Sequence, residues 1–527
     1  MIGENGSKKF HRALILQGGG ALGAYEAGVL KEWCSRLVSE DKENGRTGPV
    51  FDIVAGASMG AVNASLLVYR ALYYNKQDGN NLKSWEKSVA DLCEFYGTIS
   101  NLEPDEPMWW VNNIIINNPM FDNFWLGWEY IRKQLEKNYD HFFDFGKNGK
   151  KNNETEKSKT KEQFEEMIAK SPLGKFYFYM LPNKWGIPAT PETARKYYSY
   201  WSSLQWGTPK VIAPSMVQPD MKFLDPLQET HTFARFDNDP LAKTMKKYWD
   251  YEKDPGIKTN PGEPRLMIVA VDIEDCTTAT TFDSYTEYTE YGSESQYRID
   301  SPIGITIDHV KASMSTALRY QYSHFNAIKH SEESDDVVTR HFWDGAYIAN
   351  TPANEVIQRH RKYWEAQGES PPDLEMYIIN LYPAVEPGIP AAPDTILDRQ
   401  TDIGFHDRTR YGIRVAKMRS EYIDLISKLR KLAQDNNLED KVQEILDEKT
   451  GNKTTEGEEK IYNDLIKGRF RIKKVVYAQR VEKSGTAIYG KAFDFSKDTL
   501  DGLIKDGEDA GRICYDESKK SEKGNIM

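Results

Sequence analysis

Two glycine-bearing turns, one β-α unit apart, constrain this chain more than anything else in it. The first is Gly18-Gly19-Gly20-Ala21-Leu22-Gly23 and the second is Gly56-Ala57-Ser58-Met59-Gly60. Each follows a short apolar run, Ala13 to Leu16 or Ile53 to Ala55, and precedes a helix-forming one, Ala24 to Leu30 or Ala61 to Leu67. Strands handing over to helices through short connections predict an α/β fold with a parallel sheet. A serine on a sharp strand-to-helix turn needs small neighbours, because the backbone there is crowded and strained. Glycines in the first turn allow backbone N–H groups to face an anion. Together the turns predict a nucleophile, Ser58, and an oxyanion site.

Other readings of each turn exist. Gly18, Gly20 and Gly23 also satisfy G-x-G-x-x-G, the dinucleotide-binding fingerprint. That fold expects an acidic residue at the end of the second strand. Here the strand ends in the Ser58 turn and Asp52 stands at its start, so the dinucleotide reading is the weaker one. The plainest alternatives are tight packing for the glycines and an N-cap for Ser58.

A serine hydroxyl needs a base. None of the nine histidines sits on a glycine-rich loop after a late core strand, and His341 and His406 are the least unsuitable. Asp344 differs: it follows the strand-like run His341-Phe342-Trp343 and precedes Gly345-Ala346 and Asn350-Thr351-Pro352. A desolvated carboxylate can take a serine proton directly. Spacing alone leaves Asp344 open between that role and an Asx turn.

The chain has 527 residues, enough for two domains or one elaborated domain, and a formal net charge of −11, which argues against nucleic-acid binding. Four scattered cysteines suggest a reduced, cytoplasmic protein. No run is long enough to span a membrane, so any membrane contact is expected to be peripheral. Oligomeric state is not legible. We expect a catalytic α/β domain over 1–74 and 264–515, an irregular aromatic-rich insertion over 75–263 and a polar tail over 516–527. Within the insertion, Trp109, Trp110, Trp125 and Trp128 either build a core or form a lid that meets lipid. The helix predicted over about Arg410 to Gln434 carries charges of both signs, which reads as a covering or partner helix rather than a membrane one.

Taken together, the Gly18–Gly23 turn, the Gly56–Gly60 elbow, the small-residue run Ala312-Ser313-Met314-Ser315 and Asp344-Gly345-Ala346 resemble the patatin-like phospholipases. The resemblance implies a three-layer α/β/α fold with a mainly parallel sheet. It also implies a Ser58-Asp344 dyad without histidine, acting on phospholipid, lysophospholipid or other acyl esters. Gly56, Ala57, Met59 and Gly60 would shape the elbow, and Gly345 and Ala346 would support the aspartate. Amides of Gly18, Gly19, Gly20 and Gly23, notably Gly19 and Gly20, would form the oxyanion hole. No metal or cofactor is required. A catalytically silent lipid-binding protein is the alternative. The chain departs from the family pattern in three ways. Ser58 and Asp344 are 286 residues apart (344 − 58), Ala346 replaces a glycine, and Leu22 stands where a basic residue is frequent. The last departure predicts weaker binding of an anionic head group near the turn.

Overall fold

The structure is a computed structural model. It describes residues 10–100, scattered positions between 196 and 214, and most of 236–524. Outside the description lie 1–9, 101–195, 215–235 and 525–527, with positions 318 and 387 and short stretches at 293–294, 331–334, 391–392, 454–458, 467–469 and 483–487. The four tryptophans of the expected lid therefore fall outside the described residues.

The first unit runs β1 (Phe10–Leu16), α1 (Gly23–Glu43), β2 (Ile53–Ala57), α2 (Met59–Asp78) and α3 (Asn81–Ile99). Next come β3 (Arg265–Asp272), β4 (Thr280–Asp283), β5 (Tyr288–Tyr291), β6 (Tyr297–Asp300), α4 (Ile307–Met314), β7 (Ser323–His330) and β8 (Asp335–Asp344). The chain continues through α5 (Ala353–Ala366), β9 (Asp373–Asn380), α6 (Pro393–Phe405), α7 (Arg410–Asp435), α8 (Glu439–Leu446), β10 (Ile472–Gln479) and α9 (Lys497–Gly524). One ten-stranded sheet has the order β10-β9-β1-β2-β3-β8-β7-β6-β5, with β4 also paired to β3. The five strands from β10 to β3 are parallel, and the extension beyond β3 is antiparallel.

Alternation along β1 shows why its sequence is uniformly apolar. Leu14 and Leu16 enter the core beneath α1, α2 and α3, while Ala13 and Ile15 face the opposite core with Val356 of α5 and Ile413 of α7. A strand buried on both faces has no polar side to display. Helices on both faces of a mostly parallel centre make the expected α/β/α layers.

The structure corrects two boundaries. The chain was expected to turn irregular at about residue 75, yet α3 is regular, and its Trp85, Leu92, Phe95 and Tyr96 join the core of α1 and α2. Its start is capped by Asn80, whose side chain accepts from Lys83 N. The second correction is at the tail. The expected polar tail from residue 516 is instead helical through Gly524 as the end of α9, and Tyr515 Oη and Lys519 Nζ both reach Glu40 of α1. Just before the helix, Ser496 is held by Asp494, which also accepts from Thr499 Oγ1.

Candidate active site

The ends of β1 and β2 lie side by side, with Leu16 opposite Gly56, so the two turns emerge together at the C-terminal edge of the parallel strands. Open α/β sheets bind ligands at this edge. Ser58 connects β2 to α2 with φ 52° and ψ −125°, a left-handed backbone for a non-glycine residue. Such a conformation costs about 1–3 kcal/mol and persists only where its surroundings enforce it. The two elbow glycines do so. A Cβ on Gly60 would lie 2.7 Å from Leu16 O, and one on Gly56 would strike the carbonyl of Gly60.

The structure brings Asp344 to this elbow from the end of β8, where it pairs with Ala270 of β3. Ser58 Oγ donates to Asp344 Oδ2 at 2.7 Å. The other carboxylate oxygen accepts Ala346 N at 2.9 Å, and Asp344 N donates to Ser315 O. Asp344 is 2% exposed. Burial pushes its carboxyl up to about 7, against the hydrogen bonds from Ser58 and Ala346, which pull it down. Among the described residues no histidine bonds Ser58. His341 sits 3.6 Å from Glu274, and His406 lies against Ile403 O.

The four turn glycines divide into two pairs. Gly18 N donates to Asn350 Oδ1 at 3.0 Å, and Gly23 N is used within the turn by Gly20 O and Ala21 O. The amides of Gly19 and Gly20 have no acceptor among the described residues. Of the four expected donors, Gly18 and Gly23 thus already serve the fold, and Gly19 and Gly20 carry the amides without an acceptor among the described residues. Gly20 takes φ +56° and packs on the Ala492 carbonyl, which leaves no room for a side chain. The Met59 amide, at the first position of α2, is likewise without an acceptor among the described residues. The α2 dipole adds positive potential beside Ser58.

Sequence reasoning did not assign several supporting residues. Ser313 Oγ accepts Ser58 N at 3.0 Å and donates to Val269 O at 2.6 Å, fastening the elbow to β3. Asn350 Nδ2 donates to Phe405 O, and Gln17 joins Thr351, Phe405, Leu381 and Tyr382 around the base of the turn. Glu26 of α1 is fully buried and accepts both Gln17 N and Asn63 Nδ2. Asn63 Nδ2 also donates to Gly23 O, and Asn63 Oδ1 accepts Tyr96 Oη. A lone acid within the apolar run Ala24 to Leu30 was the available signal for Glu26.

Near Leu22 lies a cavity of about 110 Å³ whose lining includes Arg480, Glu482, Lys491 and Asp498. Two of its cations are paired, Arg480 with Glu482 and Lys491 with Asp398 and Asp402. Ser58 and Asp344 do not line it. Among the described residues no group of three or more His, Cys, Asp or Glu side chains is arranged to hold a metal ion. Nor is any described helix long and apolar enough to cross a membrane.

Five parallel strands at the centre of a mixed sheet, with helices on both faces, define an α/β protein with its candidate site at the C-terminal edge of those strands. Residues 14–357 match the model of the patatin-like phospholipase family, and the chain belongs to that family. Its members are lipid acyl hydrolases, and the protein is a hydrolase acting on ester bonds. A solved structure, VipD from Legionella pneumophila, is 13% identical over 98% of this chain and 70% of that one, with a TM-score of 0.28. Comparison with curated protein sequences gives no match.

Proposed function

We propose that the protein cleaves acyl esters of phospholipid or lysophospholipid type through Ser58 and Asp344. The supporting observation is the 2.7 Å hydrogen bond from a strained, partly exposed serine to a buried carboxylate. In the first half-reaction Ser58 Oγ attacks the ester carbonyl carbon while its proton passes to Asp344 Oδ2. The carbonyl oxygen takes the negative charge and is met by the amides of Gly19 and Gly20, preorganised before substrate arrives. The C–O bond then breaks, and Asp344 returns the proton to the departing alkoxide. In the second half-reaction water attacks the acyl-Ser58 ester, giving a proton to Asp344, and the fatty acid leaves as Ser58 is reprotonated. Burial suits Asp344 to both directions, because a carboxyl that titrates near neutrality can accept and release a proton.

Covalent labelling tests this directly. A fluorophosphonate probe should label the native chain and not Ser58→Ala. Labelling that survives that substitution would remove Ser58 from the mechanism. Comparison of phospholipid, lysophospholipid and acyl-thioester substrates then assigns the substrate class.

A further inference from the structure

Helix α7 presents a row of apolar side chains to solvent. Tyr411, Val415, Met418 and Tyr422 begin it and Leu425, Leu429 and Leu432 continue it, each between 38% and 77% exposed. Successive positions advance by four and three residues in turn, so they form one stripe along the 26-residue helix. On a helix of 3.6 residues per turn that stripe lies opposite Ile413, Ser420 and Ile423, the buried positions. The buried side is fixed to the body: Ser420 Oγ donates to Phe470 O, and Asp424 pairs with Arg471 at the start of β10. The stripe therefore points away from the protein.

Charge decides what covers it. The helix carries seven basic residues and three acidic ones, within a chain whose net charge is −11. One of the acids, Asp424, is already paired. Arg414 and Lys428, with the exposed Glu421 between them, flank the stripe on one side, and Arg419 and Arg430 flank it on the other. Parallel pairing with a second copy of the helix would set Arg414 against Arg419, and like charges at these flanking positions oppose that association. An apolar stripe with long cationic side chains on both flanks and a single acid, Glu421, among them, on a helix with four more basic than acidic residues, matches the boundary of an anionic bilayer. There the alkyl stems lie along the acyl region and the charged heads reach lipid phosphates and carboxylates.

We propose that α7 is a docking face for anionic lipid surfaces. The mixed charges read from sequence as a covering or partner helix rather than a membrane one; in three dimensions one acid, Asp424, is paired on the inner side, and the outer side carries mainly basic residues with Glu421 among them.

The test uses the full chain carrying Ser58→Ala, so that no lipid is consumed. It is sedimented with phosphatidylcholine vesicles and with vesicles that also contain phosphatidylserine. Binding should be at least ~10-fold tighter to the second set and should weaken with added salt. Leu425→Ser with Leu429→Ser, and separately Arg414→Glu with Arg430→Glu, should each weaken it by about 10-fold or more. On the Ser58-bearing chain, both double variants should hydrolyse soluble p-nitrophenyl butyrate at the unmodified rate, which shows the fold intact. Equal binding to both vesicle types, or double variants that bind like their parent, would overturn the proposal. So would a parent that binds no vesicles but whose oligomeric state changes with the leucine substitutions, an outcome that assigns the stripe to a protein partner. Failure of the Ser58-bearing chain to turn over the soluble ester counts against the hydrolytic reading alone, because binding is measured without turnover.

Discussion

Gly18 donates its amide to the side chain of Asn350 at 3.0 Å, across 332 residues of chain. The same asparagine donates to Phe405 O at the end of α6. The glycine turn is thus held from the segment that follows Asp344, so the two halves of the site share one support. Asn350→Ala leaves the buried Gly18 N–H without an acceptor, at a cost of about 1–3 kcal/mol. The expected result is a lower melting temperature and a kcat on p-nitrophenyl esters reduced about tenfold. An unchanged kcat would show that the turn holds its shape without Asn350.

Asp344 sets a pH dependence with a definite sign. In the proposed role of base it must be ionised, and burial raises its carboxyl from 3.8 to about 7. Activity should therefore rise with pH through about 7 and fall roughly tenfold for each unit below it. Stability runs the other way. Between the unfolded and folded values the unfolded chain releases a proton that the folded chain keeps, so folding weakens as pH rises through that window. Asp344→Asn should abolish turnover yet stabilise the fold at pH 8 by on the order of 1–3 kcal/mol, read from urea midpoints at pH 5 and pH 8. Full turnover in that variant would point to a different base.

What was legible in the sequence was local. The Gly18–Gly23 and Gly56–Gly60 turns are contiguous runs whose chemistry lies within six residues, so strand, turn and helix were readable together. α3 was missed although Asp78-Gly79-Asn80 carries both a left-handed C-cap and an N-cap, because those residues read equally as a polar loop. Of the non-local contacts, the Ser58–Asp344 pair was legible only through the family resemblance, and the supporting ones left no trace that gave them a role. Ser313 reaches Ser58 N across 255 residues, and no periodicity marks which of many serines will do so. The division of the four turn glycines was also invisible, since it depends on which amides the folded chain had already engaged.

Ser313 is a positioning residue, acting on the elbow through Ser58 N. Ser313→Ala removes the acceptor for that amide and the donor to Val269 O. The elbow should relax, lowering kcat about tenfold with KM changed little, because the loss falls on geometry at the reacting atom. Ser313→Thr retains the hydroxyl and should recover part of the rate. Equal losses in both variants would mean that packing alone is at stake.

The strain at Ser58 predicts a gain of stability on loss of function. At φ 52° and ψ −125° a glycine meets less steric opposition than serine. Ser58→Gly should raise the unfolding free energy by about 1 kcal/mol while eliminating fluorophosphonate labelling. Ser58→Ala keeps the Cβ and the strain, so it should lose labelling without that gain. Matched thermal unfolding of the three chains separates strain from the hydrogen bond to Asp344, which both variants lack. If glycine is no more stable than alanine, the turn stores no strain at this position.

Glu26 and Asn63 hold both ends of the glycine turn, one through Gln17 N and the other through Gly23 O. Burial pushes the Glu26 carboxyl from 4.5 up to about 8, while the bonds from Asn63 and Gln17 draw it down. Glu26→Gln swaps one acceptor oxygen for an amine that must face a donor, so one contact fails whichever way the amide sits. The turn should loosen, with kcat about tenfold lower and KM within about twofold. Glu26→Ala also opens a cavity beneath the turn and should unfold at a clearly lower temperature. The wild-type chain should lose stability between about pH 5 and pH 8, as the unfolded state gives up a proton that the folded state retains, and the Glu26 share of that slope should vanish in Glu26→Gln. Urea midpoints across this range, taken with kcat at each pH, distinguish a positioning network from inert filling: a glutamine variant with native kcat and an unaltered pH slope would leave Glu26 with no part in holding the turn.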